Sequence, residues 1–175
     1  MAAPNGFDDL TLMRAALEQA QLCTPTPTAF CVGCVIVAHH AGKPAILAAG
    51  YSRELPGNTH AEANALAKAR ALSSHALAEL WPSEDSVPPV EDLLRTADVY
   101  TTMEPCSVRT SGLAPCANAL VAAQVKRCII GVGEPDDFVV CEGADRVKSA
   151  GIEVIWLAGL EEDCLRVARR GHDSD

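Results

Sequence analysis

Asp98-Val99-Tyr100-Thr101-Thr102-Met103 and Arg127-Cys128-Ile129-Ile130-Gly131-Val132 are short runs rich in apolar and β-branched residues, and between them lies the Ala-rich segment Pro115 to Gln124. Together they predict strand, helix, strand. The alternation continues with a short helix near Ala144 to Ala150, a strand Ile152 to Leu157 and a last helix from about Leu160. Toward the N-terminus, Val32 to Val37 and Ala45 to Ala49 read as a hairpin whose turn contains Gly42 and Pro44. A hairpin followed by strands alternating with helices predicts an α/β fold. We expect a three-layer α/β/α sandwich around a mixed five-stranded sheet, in a single domain over residues 1–175.

Two further helices complete this layout. From Asp8 to Cys23, Leu10, Met13, Leu17 and Ala20 recur at helical spacing behind Asp8 and Asp9, and Pro25 and Pro27 end the segment. From His60 to about Leu80 an Ala-rich stretch has high helix propensity, with Asn58 placed to cap it and His60 in its first turn. Trp81 to about Val90, with Pro82, Pro88 and Pro89, cannot continue a helix and reads as a surface loop.

Composition narrows the function. Of 175 residues, 49% are hydrophobic and 21% charged, which is globular rather than disordered composition. The net charge of −9 disfavours extended nucleic acid, which is gripped by Lys and Arg that displace counterions. One phosphate on a small molecule needs only one or two local cations. The first residues lack the basic start and apolar run of a secretory leader, and no apolar stretch reaches the ~20 residues a bilayer requires. The expectation is a cytoplasmic protein with no membrane partner. Its eight cysteines are then ligands or small buried residues rather than a disulfide framework.

The chemistry lies in Thr59-His60-Ala61-Glu62-Ala63, Glu104-Pro105-Cys106 and Pro115-Cys116. One His and two Cys fill three corners of a tetrahedral Zn2+ site and leave the fourth for water, whereas structural zinc takes four protein ligands. Cys116 and His60 fall near helix starts, where the helix dipole favours a thiolate. Glu62 reaches the same place without being a ligand, as a proton carrier must. Zinc lowers the pKa of bound water toward neutrality, so the set is equipped for hydrolytic deamination. It follows the His-x-Glu … Pro-Cys-x-x-Cys pattern of zinc deaminases, except that nine residues, Ser107 to Pro115, separate the cysteines. That excursion costs little closure entropy and supplies a loop beside the metal.

At these residues the chain resembles the cytidine-deaminase-like superfamily and, within it, the deaminases of riboflavin biosynthesis. Those are similar in having an expanded Glu-Pro-Cys-Ser … Pro-Cys segment, here Glu104-Pro105-Cys106-Ser107 and Pro115-Cys116, and the likeness runs from the first helix to Gly151-Ile152-Glu153-Val154. The fungal form is the nearest in pattern. The resemblance implies deamination at C2 of 2,5-diamino-6-ribitylamino-4(3H)-pyrimidinone 5′-phosphate, with a phosphorylated pyrimidine as the small-molecule partner and association into a homodimer. The chain departs from the bacterial pattern before its first strand, where Thr28-Ala29-Phe30-Cys31-Val32-Gly33 stands in place of Pro-Asn-Pro-Asn-Val-Gly. Other readings are a deaminase of free cytidine, deoxycytidylate or tRNA adenosine, and a zinc scaffold without activity.

Substrate contacts are expected from Arg109 and Ser107, between the metal cysteines, and from Arg53 and Asn58, on the approach to the His60 helix. Cys31 and Cys34 lead into a strand and read as buried. Cys23, Cys128, Cys141 and Cys164 have no partner at a telling spacing, and His39, His40, His75, His172 and Lys43 read as surface or packing residues. Asp136 and Asp137 fall on a loop at a strand's C-terminal end, where α/β sites often lie.

Overall fold

A computed structural model describes residues 6–109, 111–135 and 140–172; Thr110, Asp136 and Asp137 lie outside the described residues. Five strands form one sheet: β1 (Gly33–His40), β2 (Lys43–Tyr51), β3 (Asp98–Met103), β4 (Arg127–Val132) and β5 (Glu153–Trp156). Their order is β2-β1-β3-β4-β5. β1 is antiparallel to both β2 and β3, while β3, β4 and β5 run parallel, so the sheet is mixed as expected.

The hairpin is tighter and longer than its sequence suggests. Ala41 and Gly42, with φ of 50° and 75°, make a two-residue turn whose twist matches that of the flanking strands. Pro44 therefore lies inside β2 rather than in the turn. It is tolerated because β2 is an edge strand.

Alternation along β1 divides the core. Cys34, Ile36 and Ala38 face one layer and Val35 and Val37 the other. Behind the second face lie α1 (Asp9–Gln21) and α7 (Glu161–Ala168), packed through Leu12, Met13, Ala16, Leu17, Cys164 and Val167. Met13, Leu17 and Ala20 face inward as expected, while Leu10 is exposed and Leu12 is buried in its stead. Asp8 caps α1, accepting from the Thr11 N–H at 3.0 Å.

The first face carries α2 (Ala61–Arg70), α3 (Ser74–Leu80), α4 (Val90–Leu94), α5 (Cys116–Ala123) and α6 (Gly143–Ser149). The single helix expected from His60 to Leu80 is two helices. Ser73 breaks the run, because its side chain accepts from the Ala76 N–H at 3.1 Å and begins α3 anew. The following loop is not wholly superficial either: Trp81 is buried, its indole N–H donates to the Lys43 carbonyl at 3.0 Å, and α4 follows Pro89. α2 lies close on the sheet at Gly50, where a Cβ would come within 2.7 Å of the Ala61 carbonyl.

Candidate active site

Three elements converge at the edge of this helical layer. His60 is the N-cap residue of α2, with extended φ and ψ and no side-chain capping bond, so its imidazole is free to turn outward. Cys106 follows the C-terminal end of β3, and Cys116 opens α5 directly after Pro115. The loop before α2 is held by Asn64, which donates to the Tyr51 carbonyl at 2.8 Å and to Thr59 Oγ1 at 3.0 Å. Asn58 does not cap α2; it lines the pocket beside it.

The three ligand-type atoms lie within 4.8 Å of one another. His60 Nδ1 is 3.4 Å from Cys106 Sγ and 3.6 Å from Cys116 Sγ. Zinc bonds of about 2.3 Å to sulfur and about 2.0 Å to nitrogen, at tetrahedral angles, separate N from S by about 3.5 Å. The donor set therefore fits Zn2+ both in chemistry and in size.

Its electrostatics ask for a cation. The Cys106 thiol is pulled down to about 4, first by the hydrogen bond with Cys116 and then by His60, while Cys116 is pushed well up by the same bond. His60 is raised, chiefly by Cys106. Two thiols this close hold one negative charge between them, and a dication at their shared corner lets both ionise.

Glu62, in the first turn of α2, is 3% exposed and faces this group. Burial raises its carboxyl above the ordinary value. Thr101 Oγ1, from the buried strand β3, donates to Glu62 Oε1 at 3.1 Å.

α6 clamps the segment that carries Cys106. Glu104 Oε1 accepts from the Ala144 N–H at 3.0 Å, and Arg146 donates to the Ser107 carbonyl at 2.8 Å. Gly143 meets the Pro105 carbonyl so closely that an added Cβ would lie 1.6 Å from it. Ser107, expected to touch substrate, is buried with its hydroxyl accepting from the Glu142 N–H at 3.0 Å. It faces α6 rather than the pocket.

The pocket opens over His60, Glu62 and Cys106 and reaches Arg53, Arg109 and Glu134. Arg109 Nη2 donates to the Asn58 carbonyl at 2.6 Å, while its Nε is buried and has no partner among the described residues. Arg53 braces a wall: its guanidinium donates to the carbonyls of Phe30 and Thr24 at 3.2 and 2.9 Å and to Cys31 Sγ at 3.7 Å. Its φ of 63° costs an L-residue roughly 1 kcal/mol.

Sequence reasoning missed several groups. Cys31 is fully buried as expected, yet its thiol is lowered to about 6, first by the hydrogen bond with Cys23 and then by Arg53. Glu134 is raised to about 7 by burial, and its Oε2 lacks a partner among the described residues. Its place just beyond β4 was a usable signal, because pockets of α/β sheets gather at strand C-terminal ends.

Residues 8–132 match the cytidine and deoxycytidylate deaminase zinc-binding region. The chain belongs to this deaminase family. It is 44% identical over 160 residues to the diaminohydroxyphosphoribosylamino-pyrimidine deaminase of Schizosaccharomyces pombe, covering 91% of this chain and 35% of that protein. It spans about a third of the length of the curated relatives it matches. Among solved structures, a C-terminal deletion mutant of Aspergillus oryzae Rib2 deaminase at pH 4.6 superposes with a TM-score of 0.75 at 32% identity, covering 95% of this chain and 93% of that one. The same Rib2 deaminase in complex with DARIPP gives 0.72 at 29% identity, covering 94% and 92%. The α/β/α sandwich of this family member is thus the cytidine-deaminase-like fold. No helix among the described residues is long and apolar enough to cross a membrane.

Proposed function

We propose that this chain catalyses the hydrolytic deamination of 2,5-diamino-6-ribitylamino-4(3H)-pyrimidinone 5′-phosphate to the pyrimidinedione and ammonia, a step of riboflavin biosynthesis. The observation that carries the reading is the tetrahedral spacing of His60, Cys106 and Cys116 with the buried, non-ligating Glu62 beside them. Choice of substrate rests on the likeness to the fission-yeast deaminase and to Rib2 bound to DARIPP.

Zinc held by His60, Cys106 and Cys116 would lower the pKa of water toward neutrality and so supply the nucleophile at pH 7. Glu62 takes the proton that water gives up on adding to C2 and passes it to the ring nitrogen, then takes the second proton from the hydroxyl on C2 and delivers it to the departing amine as the carbonyl forms. Burial suits this task, since it brings the carboxyl toward the working pH. Arg109, with its buried Nε, and Asn58 line the approach and bind the phosphorylated side chain, while Arg53 braces the pocket wall at Phe30. Glu134 contacts the pyrimidine from the β4 side. A reduced, cytoplasmic setting suits thiol ligands, and all eight cysteines are free.

The test is ammonia release from purified protein given the ribityl pyrimidine phosphate, cytidine, dCMP or an adenosine-containing tRNA stem, with metal content measured alongside. Turnover confined to the first is expected. Preference for another would overturn the substrate, and zinc without turnover on any of them would make the domain a scaffold.

A further inference from the structure

We propose that Thr101 is a positioning residue for the reaction: its hydroxyl holds one oxygen of the Glu62 carboxylate against the sheet and leaves the other for the proton. The inference rests on the reading of Glu62 as the proton carrier.

Strand β3 is buried throughout and sits mid-sheet, with Thr101 paired to Cys34 on β1 and to Ile130 on β4. Packing at such a position is satisfied by Val or Ile, and a hydroxyl there must find a partner or lose its hydration without return. Thr101 is fully buried, and Oγ1 lies 3.1 Å from Glu62 Oε1 and 2.9 Å from the Met103 carbonyl. One hydrogen faces two acceptors, so the hydroxyl serves them by rotation about a short, rigid side chain. The Met103 carbonyl satisfies the hydroxyl locally, and the contact that reaches across to the helical layer is the one with Glu62.

The need for such a tether follows from the geometry of a glutamate. Its terminal torsion is broad, and an untethered carboxylate presents either oxygen at many angles. Among the described residues the tether comes from Thr101, whose Oγ1 lies 3.1 Å from Glu62 Oε1. Ladders on both sides of β3 fix the Thr101 backbone, so the carboxylate is referred to the same sheet that carries Cys106 a few residues later.

The variants Thr101→Val, Thr101→Ser and Glu62→Gln separate the possibilities. Loss of a hydrogen bond to a charged group predicts that Thr101→Val lowers kcat about tenfold to a hundredfold, with KM changed by no more than about twofold. Zinc content stays at the wild-type level and Thr101→Ser recovers most of the rate. A crystal structure of metal-free Thr101→Val shows the Glu62 carboxylate rotated away from its present position. Wild-type kcat in Thr101→Val, a Ser variant as slow as the Val variant, or loss of zinc in the Val variant would each overturn the inference. If Glu62→Gln is inactive while Thr101→Val is fully active, Thr101 alone loses its role. A fully active Glu62→Gln would instead overturn the proton-carrier reading beneath it.

Discussion

The backbone N–H of Cys116 points at the sulfur of Cys106, 3.2 Å away, although nine residues lie between them. This bond joins the first turn of α5 to the end of β3, and the Ala117 N–H adds a second by donating to the Cys106 carbonyl at 3.1 Å. N–H donors aimed at a sulfur favour its thiolate form, so the protein itself supplies part of the preference for a metal cation.

Replacing either sulfur should therefore empty the site. Cys116→Ala and Cys106→Ala are expected to purify with no zinc by elemental analysis, and the wild type with one ion per chain. Chelation of the wild type should lower its Tm, because an ion that binds only the folded state stabilises it by mass action. A Cys116→Ala protein with full zinc would rule out the three-ligand site.

Arg109 should act on binding rather than on chemistry. Its buried Nε, without a partner among the described residues, leaves a donor for an incoming phosphate, a contact worth about tenfold to a hundredfold in affinity. Steady-state kinetics of Arg109→Ala should show KM raised by that factor for the phosphorylated substrate, little change in kcat, and no change for the dephosphorylated compound. Arg109→Lys should recover only part, since an ammonium lacks the planar fork. An equal loss with both compounds would remove Arg109 from phosphate recognition.

Glu134 should leave a signature in stability. Its carboxyl, ordinarily at 4.5, is raised to about 7 in the folded protein by burial, so the folded state retains a proton that the unfolded chain gives up. The contribution is whole below pH 4.5 and is lost as pH rises through about 7. Thermal melts of the wild type should accordingly fall across that window relative to Glu134→Gln, whose amide does not titrate. Parallel curves for the two proteins would show that the carboxyl titrates at its ordinary value.

How much of this was legible depends on the range of the interaction. The boundaries of β3 and β4 follow from two compact runs, each buried for most of its length and bounded by polar or turn residues. That His60, Cys106 and Cys116 meet was legible because ligand chemistry restricts the residue types and two prolines mark the cysteine turns. The division of the Ala-rich segment was hidden, since Ala propensity continues across Ala71 and a single serine side chain decides the break. Thr101 and Glu62, 39 residues apart, touch only because a helix lies on a sheet, and no local pattern announces that. Arg53 lies near the site as anticipated, but its guanidinium faces three acceptors of the neighbouring wall, which only the fold brings within reach.

The segment from Ser107 to Pro115 is a ring closed at its neck by the Cys116 N–H and the Cys106 sulfur. Each doubling of such a ring's length adds only about 0.6 kcal/mol of closure entropy, while the neck keeps its geometry. Beyond Ser107, which α6 holds, residues can thus be inserted or exchanged along the rim without moving His60, Cys106 and Cys116. The architecture separates inheritance of the reaction from choice of the molecule it acts on, and a library randomised in this ring would explore new substrates on an unaltered catalytic base.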